Sequence, residues 1–164
     1  MSGHDDLETP PDFYKAVRIH IPFDVDLAAS SENTLCKRFI SAEEDALMVS
    51  WRGRGHYGWI NPPYSPGAGP LLKWVEKVHR EVCIRHIRTV AMLMPCDPSA
   101  DWFTKYFDRM IVRAIKPRLR FLKDGKPLAN SARWPSLLCI FGQVPAWHRG
   151  RFRPWTWNLP GVMW

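Results

Sequence analysis

The sequence predicts an α/β domain built on a mixed, mainly parallel sheet, and three observations carry that prediction. Thr89–Met94 and Ser136–Phe141 are continuous apolar runs, the way strands covered on both faces read. Leu71, Leu72, Trp74, Val75 and Val78 recur at helical spacing, predicting a helix from about Pro70 to Cys83. Strands and helices alternate along the chain, the pattern of βαβ units. The 164 residues suffice for one domain with a sizeable core, and 46% hydrophobic and 24% charged residues are ordinary for a globular chain.

Residues 1–8 read as a loose end. Thr9-Pro10-Pro11-Asp12 opens a helix to about His20, with Thr9 placed to cap it. Phe23 to Ala29 reads as a short strand and Ser30 to Asn33 as a polar turn. Asn33 to Phe39 is either a helical turn or a loop. Ser41-Ala42-Glu43-Glu44 carries a capping-box pattern, so a helical turn is expected to Leu47. A loop over 52–56 leads into a strand at Tyr57–Ile60, and residues 65–70 form a Gly/Pro-rich loop. Asp101–Phe107 fits a helix capped by Ser99. Met110–Ile115 is a strand ended by Pro117. Lys116 to Arg133 is a basic hairpin or loop with Asp124-Gly125 as its turn. The chain divides into the end at 1–8, a domain at 9–144 and a Trp/Arg/Pro-rich tail at 145–164. The tail's rings either meet unpaired bases or pack back on the domain.

A net charge of +7 favours an anionic partner, of which nucleic acid is the commonest. The four cysteines form no CxxC pair, and His56, His79 and His86 are scattered, so no metal site is expected and the thiols are expected free and buried. The polar, acidic start is no signal peptide, and no apolar run reaches membrane-span length. A soluble, cytoplasmic protein without membrane contact is expected.

Asn61-Pro62-Pro63-Tyr64-Ser65 is the stretch that points to chemistry. Two prolines fix two φ angles, and the residue before each is pushed out of the helical region. The turn is therefore stiff, and it presents an amide and a ring. An exocyclic amine on a nucleobase is a poor nucleophile because its lone pair is delocalised. The Asn61 side-chain oxygen and the Pro62 carbonyl are two acceptors suited to its protons, and Tyr64 can stack on the base. A paired base must be flipped out of the duplex to reach such a turn. Read alone, the same turn is also a plain strand exit.

The segments around it bear a resemblance. Thr9-Pro10 with Phe13-Tyr14, Phe23 to Ser30 around Asp26, Glu32-Asn33 with Cys36, Glu44 to Leu47 with Trp51, Asn61 to Ser65, Trp74-Val75-Glu76-Lys77, Met92 to Pro95 and Arg118 to Phe121 stand in order over residues 9–141. In that order they resemble the phage-type DNA N6-adenine methyltransferases, a Dam-like family. The resemblance implies a single Rossmann-like domain using S-adenosyl-L-methionine. It implies that Thr9, Pro10, Asp26, Ala28, Ala29, Ser30, Asp45, Ala46 and Leu47 hold the cofactor. It implies that Asn61, Pro62, Pro63 and Tyr64 hold the target adenine, with double-stranded DNA as partner and a monomer or weak dimer as the working state. Lys116, Arg118, Arg120, Lys123 and Lys126 form a segment that either contacts DNA phosphates or is a solvated hairpin. Two departures stand out: Leu27 to Ser30 holds no glycine where larger methyltransferases have a glycine-rich turn, and Ala46 replaces a frequent glycine. An inactive DNA-binding module on the same fold, or methylation of cytosine N4, RNA or a glutamine amide, are the rival readings.

Overall fold

A computed structural model describes residues 7–64, 71–143, 152–160 and 163. Among them the elements run α1 (Pro11–Arg18), β1 (Val25–Asp26), β2 (Arg38–Phe39), β3 (Tyr57–Ile60), α2 (Leu71–Cys83), β4 (Thr89–Pro95), α3 (Asp101–Tyr106), β5 (Ile111–Lys116), β6 (Leu122–Lys123), β7 (Lys126–Pro127), β8 (Ser136–Gly142) and β9 (Phe152–Thr156). Seven strands form one sheet in the order β2-β1-β3-β4-β8-β5-β9. Pairings β1–β2, β1–β3, β3–β4 and β5–β9 are parallel, and β8 runs antiparallel between β4 and β5. The sheet is therefore mixed and mainly parallel, as expected.

The apolar runs are covered on both sides because successive strand residues face opposite ways. Val90, Met92 and Met94 of β4, with Leu137, Cys139 and Phe141 of β8, pack with Trp74, Val75 and Val78 of α2 and Trp102 of α3. Ala91, Leu93, Leu138 and Ile140 face the other way, onto Phe13, Tyr14 and Val17 of α1. The result is helix, sheet, helix in three layers.

Several expectations are corrected. Thr9 caps nothing: the cap position of α1 is Pro10, extended at φ −59° and ψ 126°, with no side-chain cap bond. Ser99 likewise leaves α3 uncapped; its hydroxyl donates to Asp97 Oδ1 at 2.6 Å and Ala100 holds the cap position. The strand expected at Phe23–Ala29 is only Val25–Asp26, and β2 stands where a helical turn or loop was expected. The tail supplies β9, with Trp155 buried against Phe13 at 6.0 Å between ring centroids. Of the two readings of the tail rings, packing back holds for Trp155; residues 144–151 lie outside the described residues. All four cysteines are free, yet only Cys139 is buried and Cys83 is exposed. The β6–β7 hairpin turns at Asp124-Gly125, with φ of 51° and 71°, the left-handed pair that tight hairpins need.

Candidate active site

Gly58, Trp59 and Ile60 are buried, and β3 delivers Asn61 at its carboxyl end. The Asn61 amide is held at both ends. Its Nδ2 donates to the Leu7 carbonyl at 2.7 Å, and its Oδ1 accepts the Tyr64 hydroxyl at 2.9 Å. The same hydroxyl lies 2.7 Å from the Leu93 carbonyl of β4, so its single proton serves one of two acceptors at a time. Burial pushes the Tyr64 hydroxyl well above its ordinary range, so it stays a donor. Pro62 is buried and Pro63 half-buried. Ser65 and the expected loop at 65–70 lie outside the described residues.

A cleft of about 550 Å³ opens beside this turn, within the usual range for small-molecule sites. Asn61 and Pro63 line it, Pro62 and Tyr64 do not. Of the residues assigned to a cofactor, Thr9, Asp26, Ala28, Ala29 and Ser30 line it, as do Asp45, Ala46 and Leu47; Pro10 does not. Asp26 ends β1 and is 4% exposed. Burial raises its carboxyl to about 6, against the hydrogen bonds from the Leu35 and Ala28 amides at 3.2 and 3.4 Å. Those two bonds shape the loop over 27–35, so the carboxylate serves the loop as well as the cleft.

Asp45 is exposed and sits in the left-handed region at φ 54°, which aspartate tolerates better than most residues. Its Oδ1 accepts the Leu47 amide at 3.0 Å. Behind this loop the Trp51 indole donates to the Ala46 carbonyl at 2.9 Å and Lys77 donates to the Val49 carbonyl at 2.6 Å. Lys77 also pairs with Glu81 at 2.8 Å, and Glu81 accepts the Trp51 amide at 3.1 Å and meets His86 at 2.8 Å. Lys77 and Glu81 are buried. Burial alone would raise the Glu81 carboxyl, but the bonds from Lys77, His86 and Trp51 outweigh it and hold it below its ordinary value.

Trp74 reads from the sequence as plain core. It is buried, yet it lines the cleft, and its indole N–H has no partner among the described residues. Leu7, Glu8 and Trp59 also line the cleft, and sequence reasoning misses them. For Trp74 a signal exists: Lys77 and Glu81 share its helix face, and charges inside an apolar stripe mark a face that does more than pack.

The basic segment follows no single pattern. Arg118 donates to the Arg133 carbonyl at 3.3 Å, and Arg120 to the Leu128 and Ala129 carbonyls at 2.6 Å each, so both prop the loop over 128–133. Lys116 ends β5, exposed. Lys123 and Lys126 are direct cross-strand partners in the hairpin. Glu8 bridges to Leu122, which sets the hairpin beside the cleft. Among the described residues no group of three His, Cys, Asp or Glu could hold a metal ion, and no helix is long and apolar enough to cross a membrane.

The profile of one protein family, the DNA N-6-adenine-methyltransferases (Dam), matches residues 1–148. The chain belongs to the Dam family. It is 39% identical over 118 residues to the DNA N-6-adenine-methyltransferase of Haemophilus phage HP1 (strain HP1c1), covering 72% of this chain and 61% of that protein. It is 37% identical over 83 residues to the DNA N-6-adenine-methyltransferase of Escherichia phage T1, covering 51% of this chain and 32% of that one. The chain thus spans about three fifths and one third of these two Dam-family relatives. Within the family frame both departures have a backbone reason. Residues 27–30 and Ala46 all keep negative φ, and the left-handed residue of the second loop is Asp45, so neither place requires glycine for its backbone angles.

Proposed function

We propose that the chain is an S-adenosyl-L-methionine-dependent DNA methyltransferase that modifies N6 of a flipped adenine, on a Rossmann-like domain. The observation that carries this reading is the stiff Asn61–Tyr64 turn, whose Asn61 and Pro63 line a cleft that also gathers Asp26 and Asp45. Membership of the Dam family supports it.

The residues present suit the cofactor. Asp26 and Asp45 are acceptors for amino groups, and the buried, unpartnered Trp74 N–H is a donor that a ligand acceptor would satisfy. Asp26 with the backbone of Ala28 to Ser30 would hold the amino-acid portion, Thr9 and Pro10 would lie near its methionine end, and Asp45, Ala46 and Leu47 would meet the adenine moiety. The bound cofactor supplies a methyl group already activated on a sulfonium, so the chemistry calls for no metal.

The rest falls to the chain. Asn61 Oδ1 has a second lone pair beside the one taken by Tyr64, and with the Pro62 carbonyl it accepts hydrogen bonds from the two amine N–H groups of the target base. Accepting them favours tetrahedral character at nitrogen and exposes its lone pair. The Tyr64 ring, anchored through its hydroxyl, stacks on the base. Pro62 and Pro63 preset the turn, so little ordering remains to be done on binding. Lys123 and Lys126, like charges placed opposite each other, are mutually unfavourable until an anion lies across them, which suits a DNA phosphate. The proposed setting is the cytoplasm of the host cell, the working state a monomer or weak dimer. The missing glycine turn is the motive for the inactive-module reading; the negative φ angles at 27–30 mean that the backbone there needs no glycine for its conformation.

The test is incubation with cofactor and unmethylated DNA, digestion to nucleosides and mass spectrometry. N6-methyladenine is expected. N4-methylcytosine, product on RNA alone, or no product would overturn the reading. Two further outcomes are expected. Lys123→Ala with Lys126→Ala weakens DNA binding and lowers the slope of log K against log salt by about 2, roughly one for each lysine–phosphate pair removed, in a salt titration. Cofactor affinity, followed by calorimetry, falls as pH drops through about 6, because protonation removes the Asp26 carboxylate. An affinity that stays flat between roughly pH 5 and 7 would argue against that role for Asp26.

A further inference from the structure

We propose that Glu8 is a positioning residue for the reaction: it latches residues 7–9 to the β6–β7 hairpin and so holds the Leu7 carbonyl against the Asn61 amide. The inference rests on the functional reading above and adds to it a cause for the orientation of Asn61.

The two ends of an asparagine amide have nearly the same shape, and only hydrogen bonds decide which end faces a substrate. Here the Leu7 carbonyl decides it. A carbonyl can only accept, so it takes Nδ2 at 2.7 Å and leaves Oδ1 toward Tyr64. Without that carbonyl only the Tyr64 hydroxyl opposes a turned amide, and it can donate to Leu93 and accept instead, so the flipped amide would present a donor to the amine it must accept from.

The hold on Leu7 comes through its neighbour. The Glu8 amide donates to the Leu122 carbonyl at 2.8 Å, and the Leu122 amide returns a bond to the Glu8 carbonyl at 3.0 Å. The Glu8 carboxylate then accepts the Gly125 amide, with oxygens at 3.2 and 3.4 Å. That amide sits inside the left-handed Asp124-Gly125 turn, so the carboxylate grips the tip of the hairpin rather than its stem. The chain of bonds runs from the hairpin tip, flanked by Lys123 and Lys126, through Glu8 and Leu7 to Asn61. The element suited to phosphate binding and the acceptor at the reacting nitrogen thus share one short strap.

The test compares Glu8→Gln, Glu8→Asp and Glu8→Ala in the full chain. Glu8→Gln keeps an acceptor of the same reach and retains kcat within about twofold. Glu8→Ala lowers kcat about tenfold, since small misplacements of a reacting group have effects of that order or larger. Glu8→Asp, one methylene too short for Gly125, falls between. KM for the cofactor stays within about twofold in Glu8→Gln, which keeps the cleft-lining side chain, and in Glu8→Ala the fall in kcat exceeds any change in that KM, as expected when transition-state stabilisation is what is impaired. A second readout needs no turnover. The Asn61 side-chain NH2 signal, assigned by its absence in Asn61→Ala, shifts and exchanges faster in Glu8→Ala than in Glu8→Gln. If the unmutated chain methylates DNA and Glu8→Ala matches it in kcat and in the Asn61 signal, the positioning role is wrong and the functional reading stands. If the unmutated chain methylates nothing, the functional reading fails, and the role of Glu8 with it.

Discussion

Asn61→Ala is expected to lower kcat by about a hundredfold or more while the cofactor binds within about twofold of its normal affinity. The amide oxygen is one of two acceptors proposed for the target amine, and removing a single preorganised group of this kind typically costs about 10²–10³ in rate. The loss falls on kcat because the interaction strengthens as nitrogen becomes tetrahedral, which is a property of the transition state. Cofactor affinity is spared because the carboxylates proposed for the cofactor, Asp26 at the end of β1 and Asp45 in a loop, stand apart in the chain from the Asn61 turn. Asn61→Asp makes the sharper comparison. It keeps an oxygen, but sets another against the Leu7 carbonyl, where an NH2 now lies at 2.7 Å. Two acceptors there repel, so this variant is expected to lose activity as well. Single-turnover kinetics with calorimetry of the cofactor would check both; an Asn61→Ala enzyme at full rate would remove the amide from the mechanism.

Lys77→Met is expected to destabilise the domain by about 3–5 kcal/mol at neutral pH, the usual cost of stripping one partner from a buried ion pair. Lys77 and Glu81 are 5% and 2% exposed, so the carboxylate left behind has little water to turn to. His86 at 2.8 Å and Arg80 at 3.6 Å are the remaining side-chain partners beside it. The pH dependence has a definite sign. The folded protein holds the Glu81 carboxyl below its ordinary value, so its contribution is complete above the ordinary carboxylate range and is lost as pH falls through the lower folded value. Removing Lys77 turns a stabilising carboxylate into an unpaired buried charge, and protonation relieves it. The deficit of Lys77→Met should therefore shrink in acid. Urea denaturation of both proteins at neutral and acidic pH would measure it, and a deficit below about 1 kcal/mol at neutral pH would contradict the account. Because Lys77 also holds Val49, and Trp51 holds Ala46, the same variant is expected to loosen the Asp45–Leu47 loop and weaken cofactor binding.

What could be read from the chain depended on how local its cause was. β3, β4, β8 and α2 were legible because an apolar run or a helical stripe needs no distant partner to be seen. The Asn61–Tyr64 turn was legible because two prolines restrict the backbone wherever they stand. β2 was not, since Arg38-Phe39 is a strand only by pairing with Val25-Asp26. β9 was hidden because Phe152-Arg153-Pro154-Trp155-Thr156 has the composition of a loop and becomes a strand against β5. Thr9 and Ser99 were misplaced as caps because a capping residue is recognised by type, while the bond requires a backbone direction that Pro10 and Ala100 take instead. The grouping of the cleft-lining residues came from resemblance; neither spacing nor periodicity could have joined Asp26 to Asp45. Trp74 and Glu8 show the remaining gap, since one stands on a helix face and the other in a strap, and only the packed chain brings both to the cleft.

The two ends of the seven-stranded sheet bear on how copies of this chain can meet. An open sheet edge is a template for another strand, and proteins that must stay apart blunt it with short strands, prolines and charges. One outermost strand, β2, is two residues long and contains Arg38. The other, β9, carries Arg153 and Pro154 in its middle, the proline opposite Ala114 and without an amide hydrogen to offer. Among the described residues neither rim invites a neighbour to extend the sheet, so self-association of this fold is expected through its helical faces or loops, and crowding in a cell is not expected to zip these domains edge to edge.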